Sequence, residues 1–145
     1  MNPVSRDMQL LQDTIQLPDR EIIEELALRY SSHILSLVFP IIDKVLFEET
    51  INLAYQQENF QSTGQASAKA CIYAFLAFVS IFNIHGASGT GLLLNSEAYA
   101  LKAQSLTPQL LQDITTESLQ TVVMLVSNRF FIFSRFSPSN DILAL

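Results

Sequence analysis

The chain has 145 residues, of which 49% are apolar and 15% charged, with a mean hydropathy of +0.28; that is ample for one core and excludes a disordered chain, while four Gly and five Pro suit long helices better than an all-β fold cut by turns. A net charge of −6, with eight basic residues that form no run or stripe, argues against direct binding to phosphate backbones or to acidic partners. The single cysteine, Cys71, excludes an intrachain disulfide and a thiolate-rich zinc site and fits a reducing compartment.

Residues 1–16 read as a loose lead-in. The opening MNPVSRDMQLLQDTIQL has no sustained apolar core and carries Asp7 and Asp13, so it does not read as a signal peptide. Pro18 and Asp19 then open a helix, with Asp19, Glu21, Glu24 and Glu25 placing negative charge at the positive end of its dipole. Ile22, Leu26, Tyr30, Ile34 and Leu37 recur at helical spacing and predict one apolar face; Glu25 and Arg29 pair four apart on the wet side. Pro40 is expected to break this helix, and the apolar stretch from Leu37 to Ile42 to be buried as a short connector.

Asp43 is placed to cap a second helix from Lys44 to Gln57, with Phe47, Ile51, Ala54 and Tyr55 on one side. QSTGQ, from Gln61 to Gln65, reads as a polar loop. The third helix, from Ala66 to Ile84, is apolar around nearly its whole circumference, which places it in the middle of a helical protein. Its run from Ala70 to Ile84 raises the question of a membrane span, but Ser80, Asn83 and the length of that run, short of the roughly 20 residues a bilayer needs, count against one.

A loop, HGASGTG, follows from His85 to Gly91. A fourth helix is predicted from Ser96, with Tyr99, Ala103, Leu106 and Leu110 on one face and Pro108 kinking or ending it. A fifth follows a Thr115 or Thr116 cap, with Glu117 in its first turn and an apolar stripe of Leu119, Val122, Val123 and Val126. After Val126 the sequence turns aromatic and basic, and SPSN at 137–140 reads as a stop. The expected fold is therefore all-α: an irregular array of about five helices around the buried helix from Ala66 to Ile84, forming an incomplete domain.

No catalytic, cofactor-binding or metal-ligating residue is expected, and the chain does not read as an enzyme. The HGASGTG loop is the sharpest candidate, because glycine-rich turns before a helix cradle phosphate. A P-loop would need Gly-Lys-Ser/Thr at its end, and Leu92 follows Gly91 here; a dinucleotide fingerprint would need a preceding strand. The plainer reading is a helix–helix connection in which Gly86 ends the buried helix. His33 and His85 have no ligand-spaced neighbours, although His85 at a helix end would favour the dipole when charged. Cys71 sits in an apolar stretch that disfavours a thiolate. Glu48 and Glu49 are adjacent, so they diverge around the helix and do not converge on one substrate. Tyr30, Tyr55, Tyr73 and Tyr99 lie on apolar faces and read as core residues with a polar tip.

Four segments in order carry more information than any single residue: LPDREIIEELALRYSSHILSLVFPIIDKVLFEETI from Leu17, ASAKACIYAFLAFVSIF from Ala66, SEAYALKAQSLTPQLLQDIT from Ser96 and ESLQTVVMLV from Glu117. This order resembles the fungal-specific transcription factor domain, the middle homology region of fungal zinc-cluster regulators. Leu17, Pro18, Arg20, Leu26, Tyr30, Phe39, Pro40, Ile41 and Phe47 take the places of the family's opening pattern, and the resemblance covers residues 17–126. It implies a nuclear regulatory domain that modulates DNA-templated transcription through protein contacts or an effector.

Three departures accompany it. The six-cysteine zinc cluster that binds DNA in the family is absent, so DNA is reached only through a module this chain lacks, and zinc belongs to that module alone. The family domain runs on past the fifth helix, so the chain is expected to be its amino-terminal portion, partnered by the rest of a longer factor or self-associating through uncovered apolar surface. Residues 127–145 are an atypical tail, expected to be translated intron or a misplaced gene end. Two alternative functions are a nucleotide-using enzyme built on the loop from His85 to Gly91, and a small helical lipid or membrane-surface binder using Phe75 and Phe78.

Overall fold

In the computed structural model the described residues are 15–40, 42–56, 63–81, 96–106, 108 and 116–136. Among them there are six helices and no strand, so the fold is all-α: α1 (Arg20–Ser32), α2 (Leu35–Val38), α3 (Lys44–Ala54), α4 (Thr63–Ile81), α5 (Ser96–Ser105) and α6 (Thr116–Phe136).

The first helix ends sooner than Pro40 requires. Ser31 and Ser32 turn their hydroxyls back to the carbonyls of Ala27 (2.9 Å) and Leu28 (3.1 Å), which competes with the backbone ladder. His33 is then extended at φ −90° and ψ 148°, with its N–H on the Tyr30 carbonyl. The helical face therefore stops at Tyr30: Ile23, Leu26 and Tyr30 are buried, whereas Ile34 and Leu37, expected on the same face, are 70% and 81% exposed. The connector before Asp43 is likewise not a buried one. Val38 is exposed, and among the described residues of the connector Phe39 and Ile42 turn in against the core. Pro40 ends the second helix and not the first: its ring disfavours helical backbone at Phe39, and α2 stops at Val38.

Asp43 caps α3 as its sequence position indicates. Its carboxylate accepts from the N–H groups of Val45 (2.9 Å) and Leu46 (3.1 Å), satisfying two donors that the first helical turn leaves open. Phe47, Ile51 and Ala54 are buried beneath it.

The centre is α4. It begins three residues before Ala66, so Thr63, Gly64 and Gln65 belong to the helix and not to a loop. Gln65 is buried and its side-chain amide donates to the Gln56 carbonyl (2.8 Å), tying α4 to the end of α3. Every residue from 70 to 79 is buried, which is the whole circumference of nearly three turns. Four edge-on aromatic contacts gather around it: Phe75 meets Tyr30 (6.1 Å) and Phe47 (4.9 Å), and Phe78 meets Tyr30 (6.1 Å) and Phe39 (6.2 Å).

The other flank of α4 takes α5 and α6. Ala98, Ala100 and Ala103 of α5 are buried there, and Ser96 Oγ donates to the Ala77 carbonyl (2.8 Å). α6 lays Ser118, Thr121, Met124 and Leu125 into the core. It does not end near Val126 but continues to Phe136; no Gly or Pro falls between Thr116 and Phe136, and Pro138 is the first breaker. Arg129, beyond the expected end, reaches Glu97 of α5 at 2.8 and 2.9 Å.

Candidate functional site

The residues singled out in the sequence are scattered. Cys71 is fully buried, and its Sγ lies 3.7 Å from Gln120 Oε1 at the α4–α6 seam, a thiol sealed from solvent. His33 is exposed at the α1–α2 bend. Glu48 and Glu49 are both exposed on α3. The loop from His85 to Gly91 lies outside the described residues. Among the described residues no three His, Cys, Asp or Glu side chains gather in a way that would hold a metal ion. Phe75 and Phe78, through which a membrane-surface binder would act, are core residues with at most 1% exposure.

The segment Gly64–Ile81 is long and apolar enough to cross a bilayer by length and composition, but 72% of it is buried by the other helices. A helix apolar on all sides is what the middle of a helical protein requires, so burial accounts for its composition without a membrane.

Three surface features remain. The first is a cleft of about 260 Å³ between α1 and α3, lined by Ala27, Leu28, Ile42, Phe47 and Ile51, with Glu24, Glu48 and Lys44 at its edge. The second is a wider concavity of about 600 Å³ where Ile15, Gln16 and Leu17 pass over α3, α4 and α5. Lys69 of α4 and Lys102 of α5 line it beside Tyr55, Tyr73 and Leu106. The Tyr55 hydroxyl donates to the Pro18 carbonyl and the Tyr73 hydroxyl to Ile15 (3.4 Å), so two phenols fasten the wall that residues 15–18 form. Tyr73 also stacks on Tyr99, with ring centres 6.4 Å apart and planes 25° from parallel.

Burial pushes the Tyr55 phenol up to about 12, with Asp19 adding to the shift, Arg20 opposing it and Glu24 adding a little more. Burial likewise raises Tyr73 to about 12, helped by Tyr55 and Tyr99, and raises Tyr99 in the same direction. These hydroxyls stay protonated throughout the physiological range, so they remain hydrogen-bond donors.

The third feature is the outer face of α6. Leu119, Val122, Val123 and Val126, the stripe that the spacing picks out, are between 46% and 63% exposed. The periodicity is real, yet the stripe points away from the core. Sequence reasoning found these residues but not their direction. It missed the Lys69–Lys102 concavity altogether, because the two lysines are 33 positions apart and only the packing of α5 on α4 brings them to one opening.

No protein-family model matches the chain, no curated protein matches it, and no solved structure matches its fold.

Proposed function

We propose that this chain is a helical regulatory domain of the kind found in fungal zinc-cluster transcription factors, working in the nucleus by helix packing and not by bond-making chemistry. The order and spacing of segments across residues 17–126 support this reading; no family model adds to it. The structural observation that carries it is the solvent-facing stripe of Leu119, Val122, Val123 and Val126 on a helix whose opposite face is core. A helix with an apolar stripe on each side has cover on one and a place for cover on the other. In this reading the occupant is a further helix of the same longer factor. Zinc and direct DNA contact belong to a separate module of that factor, and an effector or partner acts by shifting the packing equilibrium.

The test fuses the chain to a heterologous DNA-binding module in a fungal reporter strain. The fusion is expected to change reporter output, and Val122→Ser with Val123→Ser to reduce that change while leaving the protein's abundance intact. Output indistinguishable from the DNA-binding module alone would refute the regulatory role. In solution the chain alone is expected to self-associate through the stripe; a monomer at high concentration by sedimentation would count against an uncovered packing face.

A further inference from the structure

The exposed apolar side chains fall into two groups. Of the ten large ones that the described surface leaves exposed, four form the α6 stripe and six lie from Leu28 to Leu46, along α1, α2 and the start of α3, so a cover on α6 leaves the larger group unaccounted for. The cleft between α1 and α3 belongs to this second region. Leu28 lines it at 59% exposure, together with the half-buried Ala27 and Ile42 and the buried Phe47 and Ile51. At about 260 Å³ it is smaller than the roughly 300–1,000 Å³ of small-molecule sites. It has room for a few apolar side chains of the kind that a partner helix sets into a groove.

Charge selects the partner. Between Asp19 and Ala54 the chain has seven carboxylates and, besides His33, three cations. Arg20 and Arg29 are held in ion pairs with Glu24 and Glu25, at 2.8 and 2.6 Å, and Asp43 is spent on capping α3. Among the described residues Asp19, Glu21, Glu48 and Glu49 form no ion pair, and Lys44 is the cation left to set against them. Glu48 lines the cleft, as do Glu24 and Lys44. A region with this excess repels acidic helices and phosphate groups and steers basic segments toward itself. We infer that the α1–α3 cleft docks a basic amphipathic helix of a partner protein, its apolar side chains set against Leu28, Phe47 and Ile51 and its cations drawn to Glu48 and the excess carboxylates of α1 and α3. Lys44 opposes this partner and limits its affinity. The inference stands independently of the transcriptional reading, since it concerns a different surface from the α6 stripe.

The probe is a short amidated peptide of Leu, Lys and Ala, with leucines at i, i+3, i+4 and i+7 of a helix and lysines on its flanks, labelled fluorescently and titrated with the full chain. Its two matches carry Glu for every Lys, or Ser for every Leu. The basic peptide is expected to bind about tenfold or more tighter than either match, and more weakly as salt is raised. Leu28→Ser and Glu48→Lys should each lower its affinity about tenfold, and Lys44→Met should raise it about twofold. Glu49→Lys controls for overall charge, because it makes the same charge change on α3 without lining the cleft, and Val122→Ser controls for exposed apolar surface. Each control should cost about twofold or less. The inference is overturned if the basic peptide does not bind, if the Glu match binds as well, if Leu28→Ser costs nothing, or if Glu49→Lys costs as much as Glu48→Lys. Self-association by sedimentation that Leu28→Ser abolishes would make a second copy the occupant and overturn it too. Leu28 and Glu48 are exposed, so their variants are expected to keep the parent melting curve, which separates loss of the site from loss of the fold.

Discussion

Helices α4 and α6 are both long and rich in apolar residues, yet they use those residues in opposite ways. In α4 the apolar residues run around the helix, and from 70 to 79 all of them are inside. In α6 the four residues of the regular apolar stripe face solvent, while two hydroxyl residues, Ser118 and Thr121, are buried with Met124 and Leu125. The difference lies in what α4 offers its neighbours. On the side that α5 and α6 cover, Ala77 and Cys71 meet Ser96 and Gln120, and the buried positions of α6 mix Ser118 and Thr121 with the larger Met124 and Leu125. Thr121 is fully buried, so a larger side chain there has no free space to enter. Apolarity on all sides marks the central helix, but the apolar stripe of a neighbour does not mark the face that turns inward.

The sharpest way to break this comparison is to cut into α4. Phe75→Ala removes a ring that contacts both Tyr30 and Phe47 and should cost about 3–5 kcal/mol in denaturant unfolding. A cost below about 1 kcal/mol, within the range of a surface change, would mean that α4 is not the centre. Next in size is Thr121→Leu, which forces extra volume into the α4–α6 seam and should cost about 1–3 kcal/mol through overpacking, despite being the more apolar residue. Stabilisation instead would show that the α4–α6 seam has room for a larger side chain at this position.

Smaller again is Val123→Ala on the outer stripe. It should change stability by no more than about 0.5 kcal/mol while lowering self-association by sedimentation. The smallest effect at neutral pH belongs to the tyrosines beside the lysine-lined concavity. Their folded-state values lie above the ordinary value of 10, so the folded protein holds its phenolic protons longer than the unfolded chain does. Their contribution is constant below pH 10, and stability then falls as pH rises from 10 through about 12. Tyr73→Phe should flatten that fall in alkaline melting curves, and an unchanged slope would show that Tyr73 is not held protonated.

Much of this architecture is legible in the sequence because it is local. Asp43 announces a helix start by its chemistry, and the run through Ala70 and Phe78 announces burial by leaving no polar face. The end of α1 is less legible. Pro40 is a strong breaker, but the helix stops at two serines whose hydroxyls fold back on the carbonyls of Ala27 and Leu28, before the proline is reached, and Ile34 and Leu37 leave the face their spacing assigns them. The length of α6 is hidden for the opposite reason: the composition changes after Val126, but nothing in residues 127–136 forbids helical geometry. The inward face of α6 and the placing of Lys69 and Lys102 along one concavity depend on which helices become neighbours, and periodicity within one helix carries no information about that.

The buried Cys71 has a practical consequence. Its sulfur sits where α4 meets α6, beside Gln120, and has no measurable exposure. A thiol reagent can reach it only while that seam is open, so its labelling rate is a clock for the partial opening of the protein. Read against the global unfolding rate, that clock tells whether α6 peels away by itself or leaves only when the whole bundle comes apart.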